Sequence, residues 1–194
     1  MTTLPEPAGA ADEPMRPPFA LPRTVALVGL MGVGKTTIGR RLAEAFALPF
    51  IDADEEIEKA AGQPIADIFS AYGETGFRDG EQRVIARLLQ GPVQVLATGG
   101  GALTHPLTRE RLKADAITVW LKTDLNVLAR RVANKPHRPL LKDRDPLDVL
   151  KEQAERRYPL YEIADLVVDT GDQSHTKAVD MVIAALRTHV EGGQ

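Results

Sequence analysis

Short apolar, β-branched runs alternate along this chain with longer segments of helical period. Residues 25–28, 49–52, 93–96, 117–121 and 166–168 read as five strands. Their continuous apolar character suits strands buried on both faces, the signature of a parallel sheet. Ile38, Leu42, Ala45 and Phe46 fall at i, i+4, i+7 and i+8, and Val84, Ile85, Leu88 and Leu89 form a similar stripe. Both predict amphipathic helices packed on the sheet. Steady alternation of strand and helix predicts right-handed crossovers and a three-layer α/β/α sandwich on a five-stranded parallel sheet. Its ligands should gather at the carboxyl ends of the strands.

Ahead of Arg23 the pattern stops. Residues 1–22 hold six of the 14 prolines, with Glu6, Asp12 and Glu13 against a single Arg16. Such a composition cannot offset its ordering entropy, so a disordered tail over 1–22 and one domain over 23–190 are expected. The absence of cysteine rules out disulfide, zinc–thiolate and iron–sulfur chemistry and fits a cytoplasmic location. A net charge of −3 gives no general attraction to nucleic acid or anionic lipid. Neither a membrane span nor a secretory signal is readable. The expected partners are therefore small molecules, bound by a monomer.

Candidate chemistry begins directly after the first strand. Residues 29–37, GLMGVGKTT, match the phosphate-binding loop in its required strand–loop–helix setting. Glycines let backbone N–H groups close on phosphate oxygens, and the following helix adds its positive end. Lys35 reaches the β- and γ-phosphates, and the Thr36 hydroxyl suits Mg²⁺. Asp52 and Asp54 end the second strand, and an extended spacing of two puts both carboxylates on one side. Asp54 reads equally well as a helix cap. The third strand ends in Gly99, Gly100 and Gly101 with no acid, which makes Asp52 the nearest metal-associated carboxylate. The three glycines offer either backbone contacts to a substrate or a plain turn.

Residues 120–160 carry ten Lys and Arg against six acids, and three prolines interrupt 134–146. That stretch predicts a loop serving as a lid, with Arg138 delivered to developing phosphoryl charge. Gly80, inside a predicted helix, is unfavourable by about 1 kcal/mol relative to alanine and has no evident reason.

Taken together, the chain from about 23 to 186 resembles the shikimate kinases, P-loop kinases related in fold to the nucleoside monophosphate kinases. The resemblance rests on 29–40, 52–54, 65–69 (IADIF), 73–78 (GETGFR) with Glu81, 99–101, 138–141 (RPLL) and 157–161 (RYPLY). It implies transfer of the ATP γ-phosphoryl group to the 3-hydroxyl of shikimate. Lys35, Asp54 and Arg138 would be catalytic. Gly32, Val33, Gly34, Lys35, Thr36, Thr37, Arg131 and Arg138 would bind ATP, with Arg131 against the adenine. Thr36 would hold Mg²⁺ directly and Asp52 through water. Arg78 and Arg157 would clamp the substrate carboxylate, Gly100 and Gly101 would offer backbone contacts, and Phe69 and Phe77 would wall the ring. Planar guanidinium forks suit a carboxylate. The alternatives are a gluconate kinase and, from another class, a nucleotide-dependent switch.

Overall fold

The computed structural model describes residues 17–133 and 144–193. Five strands, β1 (Thr24–Val28), β2 (Phe50–Asp52), β3 (Val95–Ala97), β4 (Ala116–Lys122) and β5 (Leu166–Asp169), form one parallel sheet in the order β2-β3-β1-β4-β5. Every residue of the central β1 is buried, as its unbroken apolar run requires. Because β3 inserts between β1 and β2, the carboxyl ends of three strands lie side by side, and Gly29, Asp52 and Thr98 follow or end them.

Seven helices among the described residues cover both faces: α1 (Lys35–Phe46), α2 (Ala53–Ala61), α3 (Ile65–Leu89), α4 (Pro106–Asp115), α5 (Leu125–Ala133), α6 (Pro146–Tyr161) and α7 (His175–Gly192). α1 packs on α7, and α3 packs on α4. The α1 stripe buries Ile38, Leu42 and Phe46 as its spacing predicts, although Ala43 rather than Ala45 turns fully inward. α3 is not one straight rod. It bends at Gly73, whose φ of 68° and ψ of −176° interrupt the helix.

The packed chain begins ahead of Arg23. Phe19 meets the Phe46 ring edge-on at 5.0 Å and carries the Arg187 guanidinium at 5.3 Å, and Leu21 also packs on the core. An aromatic and a leucine thus give the end of the proline-rich segment something to bury; residues 1–16 lie outside the described residues. So do Arg138 and residues 134–143 of the expected lid. The loop's far limit falls earlier than 146, because Asp145 accepts the N–H groups of Leu147 and Asp148 and makes Pro146 the first residue of α6. No described helix is long and apolar enough to cross a membrane.

Candidate active site

The chain leaves β1 at Gly29 with φ 143°, and Gly32 and Gly34 follow at 82° and 98°, values that L residues avoid. These turns shape a cradle that runs straight into α1, whose first N–H groups lack helical partners and carry partial positive charge. Lys35 folds back across it, Nζ donating to the carbonyls of Gly29 at 2.8 Å and Leu30 at 3.1 Å. Val33, expected to bind ATP, is packed into the core with its N–H donated to the Leu30 carbonyl at 3.4 Å, and it does not line the hollow that the glycines on either side of it border.

Asp52 organises the neighbouring strand end. One carboxylate oxygen accepts the Thr36 hydroxyl at 2.9 Å and the other accepts the Asp54 N–H at 3.1 Å. The cap of α2 is therefore Asp52, not Asp54. The extended-spacing argument also fails, since β2 stops at Asp52 and Asp54 stands in the first helical turn. Both acids nonetheless reach one hollow of about 500 Å³, lined with Gly32, Gly34, Lys35, Thr36 and Thr37 and bounded by Gly100 and Arg131. Arg131 is steadied by the Gly171 carbonyl at 3.4 Å and by Asp172 at 3.5 Å. His175 borders the same hollow, a place that its isolated position in the sequence did not signal.

The glycine run 99–101 has a steric reason. A Cβ on Gly99 would stand 2.6 Å from Glu81 Oε1 and 2.9 Å from Asp54 Oδ1, and one on Gly100 would stand 3.4 Å from Arg157 Nη1. A Cβ on Gly101 would collide with the Arg78 guanidinium. Side chains from α2, α3 and α6 thus lean on three successive residues of one strip. The strip is held firmly: Tyr161 donates to the Gly100 carbonyl at 2.5 Å, Thr104 donates to that of Gly101 at 2.6 Å, and Thr98 donates to Leu27 in β1 at 3.0 Å.

Arg78 and Arg157 line a second hollow of about 390 Å³, beside the first across this strip, together with Phe69 and Arg156. Arg157 donates to Gln153 at 2.9 Å, one turn back on α6. Arg78 donates to the fully buried Glu81 at 2.5 Å and lies 4.9 Å over the Phe77 ring. Phe77 stacks behind Phe69, with ring centroids 4.4 Å apart, and does not line this hollow itself. Glu81, quoted in the motif but given no role there, is the residue that fixes Arg78. In sequence it looks like any helical surface acid.

The electrostatics follow from this crowding. Asp54 keeps a face open to the hollow, yet packed protein around its carboxyl, and then the Asp52 charge, hold its pKa above the ordinary 3.8 against the pull of Lys35 and Arg78. Burial also raises the Glu81 carboxyl and lowers the Arg157 guanidinium. Burial raises the Tyr161 hydroxyl too, keeping it a donor.

The arrangement sets an anion cradle beside paired acids and two partly buried arginines. The family model for shikimate kinase matches residues 31–187. The chain belongs to the shikimate kinase family. A shikimate kinase of Caulobacter vibrioides is 55% identical over 165 residues, covering 85% of this chain and 82% of that protein. Among solved structures, shikimate kinase from Acinetobacter baumannii in complex with shikimate superposes with a TM-score of 0.81 at 38% identity, covering 86% of this chain and 93% of that one. A gluconokinase from Sinorhizobium meliloti reaches a TM-score of 0.59 at 22% identity, covering 88% and 95%. That likeness is one of fold alone.

Proposed function

We propose that this protein transfers the γ-phosphoryl group of ATP to the 3-hydroxyl of shikimate. One observation carries the reading: Asp54, Arg157 and Arg78 rest in that order on Gly99, Gly100 and Gly101. Consecutive Cα atoms are 3.8 Å apart, so the two ends of the strip lie within roughly 7 Å. That span suits a cyclohexene carboxylate, its carboxylate toward the arginines and its ring hydroxyls toward Asp54 and the cradle.

In this reading Asp54 accepts the hydrogen bond of the attacking hydroxyl and takes its proton as the new O–P bond forms. A carboxylate of raised pKa is the better base for that step. The bond from the γ-phosphorus to the bridging oxygen breaks and ADP departs. Lys35 and the cradle amides stabilise the charge on the phosphoryl oxygens, with Arg138 contributing from outside the described residues. Thr36 and Asp52, already 2.9 Å apart, form a hard-oxygen pair suited to Mg²⁺, which would bind Thr36 directly and Asp52 through water. When bound, the ion neutralises phosphate charge. Arg131 steadies the nucleotide base, and Phe69 borders the acceptor ring with Phe77 behind it.

Steady-state ADP release with Mg-ATP tests the reading, with shikimate and gluconate in parallel arms. Shikimate-dependent turnover without gluconate-dependent turnover is the expected result. A cooperatively melting protein that releases no ADP on adding shikimate overturns it.

A further inference from the structure

Behind α3 lies a hollow of about 660 Å³ that phosphoryl transfer leaves unused. Its floor is apolar, made by Ile57 of α2 with Ile68, Phe77 and Val84 of α3. Tyr72 stands at its mouth, 66% exposed. The hollow is open because α3 withholds side chains on this face. Gly76 and Gly80, one turn apart, both line it. A Cβ at Gly76 would strike Tyr72 Cβ at 2.7 Å, whereas a Cβ at Gly80 would meet nothing within 4 Å. Glycine is unfavourable within a helix, and at Gly80 neither a positive φ nor a crowding neighbour demands it. What the missing side chain does leave is room.

The charges around this room are unequal. Arg87 is engaged by Glu56 at 3.3 Å, and Asp79 faces His105 at 3.4 Å. Arg83 lines the same hollow, three residues beyond Gly80, and has no ion-pair partner among the described residues. Aromatic faces, an aliphatic floor and one unengaged guanidinium are complementary to a flat apolar group that carries a single negative charge.

We propose that this hollow is a binding site for small aromatic carboxylates. The ring packs on Ile57, Ile68 and Val84 beside Tyr72, and the carboxylate pairs with Arg83. Phe77 forms part of its floor and also stacks on Phe69 of the acceptor hollow.

The test uses 3-phenylpropanoate on the full chain, with neither shikimate nor nucleotide present, so that failure here is separate from failure of the catalytic reading. Titration calorimetry and amide NMR shifts should show saturable binding, with shifts centred on residues 57–61 and 76–87. Gly80→Leu fills the hollow and should weaken binding at least tenfold. Arg83→Ala, and separately the neutral probe 3-phenylpropan-1-ol, should each weaken it about tenfold, the scale of a charge-assisted hydrogen bond. Cooperative melting confirms that each variant is folded, and Arg83→Ala at an exposed position backs up Gly80→Leu. No saturable binding at millimolar probe overturns the proposal. So does binding undiminished in either variant, or equal affinity for the alcohol.

Discussion

At Gly34 the backbone takes φ 98°, and a Cβ would find only ordinary contacts, with Ile38 at 3.5 Å and His175 at 3.6 Å. At Gly101 φ is an unremarkable −108°, and a Cβ would land on the Arg78 guanidinium. The two loops stand side by side at one sheet edge and are both rich in glycine, and these two positions separate the reasons. All three glycines of the first take positive φ, so that amides converge on phosphate; Gly29 and Gly32 are crowded as well, by the Leu121 carbonyl at 2.5 Å and Val132 Cγ1 at 2.6 Å, and only at Gly34 does conformation act alone. The second needs it for space, so that side chains from three helices can approach one strip. Conformation is local and can be written as a motif; space depends on what the rest of the fold brings there.

The sharpest way to test whether the two loops serve one reaction is Asp54, which lies against the second and reaches the hollow of the first. Asp54→Asn should lower kcat about 10²–10⁴-fold while ATP still binds, the range for loss of a general base. Near-normal turnover would separate the loops. The same variant carries a pH signature. Asp54 has a folded pKa above 3.8, so the fold is free of its ionisation penalty below that value and loses stability as pH rises through the folded pKa. The Asn variant should therefore melt higher than the parent at neutral pH, with the advantage vanishing in acid.

Gly101→Ala comes next in size. Arg78 cannot simply step aside, since Glu81 and the Phe77 ring hold it. Displacement by an ångström at such a clamp is worth about 10²-fold, expected in kcat/KM for shikimate with the KM for ATP little changed. Gly34→Ala reverses the pattern. The left-handed backbone disfavours an L residue by about 1–2 kcal/mol, so nucleotide affinity should fall roughly 5–30-fold and shikimate binding should hold. Titrating each ligand separately against both variants reads the contrast, and equal losses in both would erase it.

This difference also explains what was legible in the chain. The parallel sheet and the cradle follow from apolar runs and short spacings, which local chemistry dictates. Asp52 as the cap, and Asp54 within a helix, turned on a strand end that shifts by a residue or two. The role of Glu81 was hidden, because a fully buried acid is recognisable only once Arg78 and Gly99 are placed around it. Phe77, which the resemblance implied as a wall of the ring, does not line the acceptor hollow but stacks on Phe69, and that arrangement depends on how α3 packs beyond its bend at Gly73.

The smallest effect isolates conformation from space within one helix. Gly73 and Gly80 both lie in α3, and a Cβ on either would meet nothing within 4 Å, so crowding is absent from the comparison. They differ in backbone alone: Gly73 sits at φ 68° and ψ −176°, a region essentially reserved for glycine, while Gly80 is helical. Gly80→Ala should therefore stabilise the protein by about 1 kcal/mol through helix propensity, which for a chain of this size raises Tm by about 2–4 °C. Gly73→Ala should destabilise it by about 1–3 kcal/mol, the strain of that backbone region. Opposite signs in paired thermal melts would show that the bend, not the missing volume, is what Gly73 supplies. If Gly80→Ala instead lowered Tm, the helix around it would have to be less regular than its backbone indicates, and the open wall behind Phe77 would need another cause.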